Sequence, residues 1–385
     1  MMDVRQQKRS NSPSMRAPAK ALQGVLRVID EQGKINPSTD PRLDLSLVKR
    51  MYIAMRRTRI VDERLVTLQR QGRIGFHIGS LGEEAAVIAS AAALRPSDWI
   101  FPCYREFGAL LWRGLPLQRY VDNMYGNAND LVKGRQMPDH YSARQYRYAS
   151  VSSPIGTQMP QAVGFSMAAK QRGDDVVVAV YLGEGATSSA EFHTAMNFAG
   201  VFNTPTVFLL RNNHWAISVP SAKQTASTTF ADKGIAYGVS SSRCDGNDAL
   251  AVYQTVSEAV EQAAAGKGPH LVEMLTYRMS GHSTSDDPRV YCPESELEEW
   301  RKADPLLRLQ RYLETQSAWT ETEEQEIVQG IRDELKQCVE RAEATEAPAL
   351  ATMFQDVYSE QPWHLREQQA QCEEIDAAKN KPRNG

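Results

Sequence analysis

Nowhere in this chain of 385 residues do 18 consecutive apolar residues occur, and without such a run no transmembrane helix is predicted. Cysteine is sparse. The five residues Cys103, Cys244, Cys292, Cys338 and Cys372 are odd in number and form no CxxC pair. That argues against a disulfide framework and against a structural zinc site, and it fits a reducing compartment. Cys103 alone lies near a motif used below, and it reads as a packing residue. Neither sign of charge is in excess: 44 Lys and Arg face 47 Asp and Glu, a net charge of -3. No basic surface therefore points to nucleic acid or to an anionic membrane. No GxGxxG fingerprint opens a helix, which weakens a nicotinamide-binding reading. Repeats and low-complexity tracts are also lacking.

What is present is ordinary globular composition, 42% hydrophobic and 24% charged, enough for one large α/β domain or two smaller ones. The first 24 residues carry Arg5, Lys8, Arg9, Arg16 and Lys20 against the single acid Asp3. A transit peptide is also basic and acid-poor, but Pro13 and Pro18 interrupt any long amphipathic helix, so a flexible arm over 1–24 is the preferred reading.

After a helix around 47–57, an alanine-rich helix over 82–94 leads to a short apolar run at 98–101. The middle of the chain then alternates. Residues 176–182 (VVVAVYL) form a continuous apolar run of strand length, followed by a glycine turn. Ser188 and Glu191 read as a capping box opening a helix to about Phe202. TVFLL at 206–210 is a second buried strand, and HLVEMLTY at 270–277 a third. Between them, Asp245-Gly246-Asn247-Asp248 supplies a turn and an N-cap for a helix to about Ala265. Buried strands alternating with helices predict an α/β fold, a parallel sheet flanked by helices on both faces. An α/β domain is assigned to 25–292. A charged helical region over 293–385, with capping boxes at Ser295/Glu298 and Thr320/Glu323, is expected to pack on it.

The chemistry gathers where these strands end. Gly183-Glu184-Gly185 follows the first, Arg211-Asn212-Asn213 the second, and Arg278 with Gly281-His282-Ser283 the third. In a parallel sheet all three ends share one edge, where open α/β sheets bind ligands. Glu184 and Asn213 offer hard oxygen ligands of the kind magnesium takes together with substrate phosphates. The glycines around Glu184 would let a ligand approach the backbone. A purely structural β-α-β unit accounts for the same residues.

The triplet Gly-acid-Gly, 26 residues (Ala186 to Arg211) and then Asn-Asn resembles the thiamine-diphosphate signature. The likeness continues through RQGRI, CYRE, KGRQMPDHY, SSPIGTQMPQAVG, GEGA, RNNHWAIS, DGNDALAVY and YRMSGHSTSDD. Over about 25–370 the chain resembles the alpha subunits of branched-chain 2-oxoacid dehydrogenases. Glu rather than Asp at 184, and KGRQMP, fit that branch; alpha subunits of pyruvate or acetoin dehydrogenases are the alternative.

The resemblance implies the thiamine-diphosphate-binding fold, oxidative decarboxylation of branched-chain 2-oxo acids, and reductive acylation of a lipoyl group on a partner acyltransferase. It places magnesium on Glu184, Asn213 and the carbonyl of Trp215. The diphosphate falls against Tyr104, Arg105, the turn Gly183, Gly185 and Ala186, and Arg211, with Ser153 and Ile155 at the aminopyrimidine. Ser152, Pro154, Thr157 and Gln158 match a potassium site, although a capped turn before a helix over 158–170 is equally compatible with them. His282 is the main catalytic candidate and also a cofactor contact; His140 is the second. His77, His193, His214, His270 and His364 are read as structural.

No glutamate suited to activating the aminopyrimidine is found, so a beta subunit is expected to supply it within an α2β2 heterotetramer. The expected location is a bacterial cytoplasm, with the mitochondrial matrix as the alternative. Thr187, Ser188 and Ser189 after GEGA, the segment Asn213-His214-Trp215, and FHIGSLGEE at 76–84 depart from the family pattern and leave the side-chain preference open. The polar loop over 279–289 is expected to stay mobile until cofactor or partner orders it. Its Ser283 matches a phosphorylated serine of mitochondrial relatives.

Overall fold

The computed structural model describes Leu22 and residues 24–379. The arm expected over 1–24 lies almost wholly outside the described residues.

Five strands form one parallel sheet: β1 (Trp99–Phe101), β2 (Val178–Gly183), β3 (Thr206–Asn212), β4 (Ser240–Asp245) and β5 (His270–Leu275). They lie in the order β1-β2-β3-β5-β4, each neighbour parallel. Successive side chains of a strand point to opposite faces, so a strand covered on both sides must be apolar at every position. VVVAVYL shows this directly. Val177, Ala179 and Tyr181 join a core with helices Leu45–Arg70, Glu84–Ala92 and Ala249–Ala264. Val178, Val180 and Leu182 join a second core with helices Gln158–Arg172 and Ala190–Phe202.

Strand β4 escapes sequence reading for a physical reason. It is an edge strand of sequence SSSRCD, and only Cys244 and Asp245 are buried. Residues near Leu26 run beside it: Leu26 N donates to Arg243 O, and Asp245 N donates to Leu26 O. This covers part of an edge that would otherwise expose unpaired backbone groups.

Capping corrects several boundaries. The first helix is longer than expected, Leu45–Arg70, with Asp44 accepting from Ser46 N. The helix after β2 is capped by Ser189, not Ser188, because Glu184–Ser188 forms a 3-10 turn that uses up the extra residues. Ser295 caps nothing: helix Glu294–Lys302 starts before it, with Pro293 at the N-cap. The reciprocal box of Thr320 and Glu323 is present as expected, and Asp248 caps its helix by accepting from Leu250 N and Ala251 N.

Buried Arg308, on helix Pro305–Thr315, donates to Asp245 Oδ2 (2.7 Å) and to the Ile29 carbonyl. One guanidinium thereby joins a C-terminal helix, the sheet edge and the N-terminal segment. All five cysteines are free thiols. Among the described residues, no helix is long and apolar enough to cross a membrane.

Candidate active site at the strand tips

The carboxyl ends of β2, β3 and β5 do share one edge. A cavity of about 210 Å³ opens there, lined by Tyr104, Arg105, Ile155, Gly183 to Ala186, Arg211, Asn213, Trp215 to Ile217, His282 and Cys103. Buried Cys103 has its thiol pushed up to about 12, first by burial and then by Glu106, which suits a packing role.

Register sets the first pair. Gly183 lies opposite Arg211 across the β2–β3 ladder, so Glu184 and Asn213 leave adjacent strand ends together. Glu184 is 1% exposed. Its carboxylate accepts from Asn213 N at 3.3 Å and from Gln224 Nε2 at 3.2 Å. Burial raises its pKa, and no Lys, Arg or His among the described residues neutralises it. A buried carboxylate with two long hydrogen bonds and no cation is an unbalanced charge. Asn213 turns its Nδ2 to Glu83 Oε1 (2.9 Å), while its Oδ1 accepts from Trp215 N (3.1 Å). The Trp215 carbonyl already accepts from Arg278 Nη1 at 3.2 Å, leaving one lone pair. The donor set of carboxylate, amide oxygen and carbonyl is one that suits magnesium.

The two glycines have different reasons. A Cβ on Gly185 would stand 2.6 Å from the Cβ of Ala216, so the turn must pack closely against the short hairpin of Trp215–Ala216 and Val219–Pro220. A Cβ on Gly183 would meet no atom of this chain, and the space it leaves belongs to the pocket. Gly185→Ala is accordingly expected to cost about 1–3 kcal/mol through overpacking, read as a lower midpoint in denaturant unfolding.

Arg105 faces the site from its other side. It donates to the Gly79 carbonyl, to His282 O (2.7 Å) and to His282 Nδ1 (3.1 Å). Because arginine can only donate, Nδ1 is the acceptor and the ring proton sits on Nε2. Burial, then the cations Arg105 and Arg278, push His282 down to about 3. In this chain it is a neutral hydrogen-bond donor rather than an acid at neutral pH. Tyr104 packs edge-on to His282 and beneath Arg105.

Arg211 differs from the free phosphate ligand that the sequence suggested. Its two Nη atoms go to Glu83 Oε2 (2.6 Å) and Glu106 Oε1, both fully buried, and only its Nε is unpaired. Glu83 and Glu106 were missed at the sequence level. The signal was a carboxylate in each of GEE and CYRE, since a buried arginine demands an acid.

Ile155 reaches the cavity; Ser153 and His140 do not line it. His140 Nδ1 donates to the Pro138 carbonyl (3.0 Å), so its Nε2 accepts from Ser153 Oγ (2.5 Å). Both ring nitrogens are occupied, and His140 stands behind Ser153. Ser152, Pro154 and Thr157 do converge: Thr157 Oγ1 lies 2.8 Å from Ser152 Oγ and 3.2 Å from the Pro154 carbonyl. Gln158 donates its Nε2 to Tyr181 O (2.9 Å).

The loop over 279–289 is not left to itself. Thr284 exchanges hydrogen bonds with the backbone of His77, Met279 N donates to Leu81 O, and Asp286 accepts from His282 N and Tyr291. The polar residues of the loop cap one another and the 76–82 segment. Ser283 Oγ accepts from Ser285 N at 3.3 Å within this loop.

A family model described as "Dehydrogenase E1 component" matches residues 52–351. The chain is similar to "2-oxoisovalerate dehydrogenase subunit alpha 1, mitochondrial" of Arabidopsis thaliana, 42% identical over 91% of this chain and 74% of the relative. It is 43% identical to "2-oxoisovalerate dehydrogenase subunit alpha, mitochondrial" of Homo sapiens, over 90% and 78% of the two chains. The Caenorhabditis elegans protein of that name is 41% identical over 92% and 82%. A parallel sheet with an unneutralised carboxylate and an asparagine at adjacent strand tips, and a match spanning most of the sequence, have one common explanation: the chain belongs to the dehydrogenase E1 component family.

Proposed function

We infer that this chain is the alpha subunit of a branched-chain 2-oxoacid dehydrogenase, which decarboxylates branched-chain 2-oxo acids oxidatively and passes the acyl group to a lipoyl arm of a partner acyltransferase. The observation that carries the reading is buried Glu184, with no cation partner among the described residues, beside Asn213 in a pocket edged by Arg105 and His282. Magnesium would restore the charge balance there, held by Glu184, Asn213 and the remaining lone pair of Trp215. Thiamine diphosphate supplies, when bound, the electron sink for carbon–carbon cleavage.

This chain's residues bind and orient. Arg105, Tyr104 and the unpaired Nε of Arg211 would face the diphosphate, with the backbone of Gly183, Gly185 and Ala186 beneath it. Ile155 and Ser153, the latter aligned by His140, would flank the aminopyrimidine. Nε2 of His282 would donate a hydrogen bond toward the reacting centre and hold a proton at that atom. Potassium would sit among Ser152, Pro154, Thr157 and Gln158, whose oxygens suit a hard monovalent ion.

Two facts support a completing beta subunit in an α2β2 assembly. The cavity of about 210 Å³ is below the roughly 300–1,000 Å³ of complete small-molecule sites. Glu184 is also the only carboxylate among its lining residues, and it is committed to the metal in this reading. Free cysteines fit a reducing compartment, a bacterial cytoplasm or a mitochondrial matrix.

The test is decarboxylation of 3-methyl-2-oxobutanoate and of pyruvate by the chain alone and with its beta subunit. No turnover is expected alone. The assembly should prefer 3-methyl-2-oxobutanoate by at least about tenfold in kcat/KM, as an extra apolar side chain in a fitted pocket provides. Preference for pyruvate would overturn the substrate assignment, and turnover by the isolated chain would overturn the shared site.

A further inference from the structure

His77 is fully buried, and both of its ring nitrogens meet carboxylates: Nε2 lies 2.9 Å from Asp62 Oδ1, and Nδ1 lies 3.0 Å from Asp139 Oδ2. Asp62 belongs to helix Leu45–Arg70, whereas Asp139 lies beyond helix Leu117–Tyr125, whose Tyr120 hydroxyl donates to it at 2.7 Å. One imidazole therefore joins two elements that the chain separates widely. Burial alone would pull the ring toward neutrality, but Asp139 and Asp62 outweigh it and hold its pKa up at about 10. The ring keeps its proton between the two carboxylates.

The same carboxylates also grip the backbone just after position 77. Asp139 Oδ2 accepts from Ile78 N (2.7 Å), and Asp62 Oδ2 accepts from Ser80 N (2.8 Å). A Cβ on Gly79 would stand 2.2 Å from Asp62 Oδ1, so glycine is required for this approach. Four backbone groups of this segment then reach Arg105 or the 279–284 loop at the pocket edge. The Gly79 carbonyl takes Arg105 Nη1. His77 O accepts from Thr284 N (3.0 Å), and His77 N donates to Thr284 Oγ1 (3.1 Å). Leu81 O accepts from Met279 N (3.0 Å). Arg105 and residues 279–284 carry or hold His282, so the 77–81 segment acts as a bracket between the buried ion triad and the pocket edge.

We propose that His77, bridging Asp62 and Asp139, is a positioning residue that fixes this bracket and through it aims Arg105 and docks the His282 loop over the pocket. The inference rests on the cofactor reading above. An uncharged residue at 77 leaves two buried carboxylates facing each other, and their repulsion must be relieved by moving the segment they hold. Displacement of about 1 Å at Arg105 and His282 is enough to cost roughly 100-fold in a site that depends on orientation.

The test uses the full chain assembled with its beta subunit, at a temperature where circular dichroism shows each variant folded. Calorimetry with thiamine diphosphate and magnesium is combined with amide exchange at Met279 and Thr284. His77→Gln should weaken the cofactor by about 10- to 100-fold and speed exchange at both amides. Thr284→Val cuts the docking from the loop side without touching the triad, and it should weaken the cofactor in the same direction should His77→Gln not fold. Unchanged affinity and unchanged exchange in a folded His77→Gln protein, or in Thr284→Val if only that variant folds, would make His77 a stabilising residue alone and end the proposal. Failure of the unsubstituted assembly to bind the cofactor would instead strike the functional reading itself.

Discussion

Glu184→Gln should leave the cofactor-free chain at least as stable as the parent while abolishing its response to magnesium and thiamine diphosphate. The carboxylate is buried, its pKa is raised by desolvation, and no cation among the described residues balances it. A group whose folded pKa lies above its unfolded value penalises the folded state at neutral pH and ceases to do so as pH falls through the folded pKa. The neutral amide removes that penalty and keeps the shape, so the melting temperature should hold or rise. It also removes the anion that, in the proposed reading, would hold the metal. A ligand present at 100 times its dissociation constant stabilises by about 2.7 kcal/mol. That increment should appear in the parent's melting curve and vanish in the variant's. Activity of the assembly should fall by roughly 1,000-fold, since several kcal/mol of charge stabilisation at the metal are lost. A variant that keeps its magnesium-dependent rise in melting temperature would show that Glu184 is not a ligand.

Replacing Arg211 should do the reverse and damage the fold first. Its guanidinium lies between Glu83 and Glu106, all three groups being 2% exposed or less. Arg211→Leu strands buried Glu106 and leaves Glu83 with Asn213 Nδ2 (2.9 Å) and the more distant Arg105 Nε (3.8 Å), and removing one partner of a buried ion pair costs about 3–5 kcal/mol. The sign with pH follows. Burial already raises Glu106, and loss of Arg211, which opposes that shift, raises it further. In the variant the folded state then binds protons more readily than the unfolded state, so its deficit should shrink as pH is lowered through the raised pKa and be largest above it. Urea unfolding at pH 8 and pH 5 measures this. A deficit equal at both would mean that lost packing, not stranded charge, is the cause. A lysine at 211 should not rescue fully, because two carboxylates at different angles match a planar fork better than a single ammonium.

The contrast between these residues shows which kinds of information a sequence holds. The glycine-acid-glycine turn was legible because it directly follows a run of apolar residues, and a buried parallel strand leaves no other place for its next residues than the sheet edge. Helix starts were legible to within a residue or two. Adjacent serines 188 and 189 offer the same cap, and only the intervening 3-10 turn selects the second. Strand β4 was not legible, since an edge strand needs no apolar alternation and SSSRCD has none. Tyr104, Arg105, Ile155, Arg211, Asn213 and His282, named from the resemblance, line the pocket, yet the resemblance could not say that His140 would have both nitrogens engaged before reaching it.

Periodicity, turn chemistry and the strand-end motif are local properties, written in neighbouring letters, and by themselves they determined the α/β architecture and the sheet edge at which the pocket opens. Which partner neutralises a buried charge is decided by approach in space. Arg211 finds Glu83 across 128 positions, and His77 joins Asp62 to Asp139 across helices that nothing in the sequence pairs. Those choices set the charge left over at Glu184 and the tautomer of His282, and only the tertiary structure makes them, because electrostatic energy depends on distance and burial rather than on order along the chain.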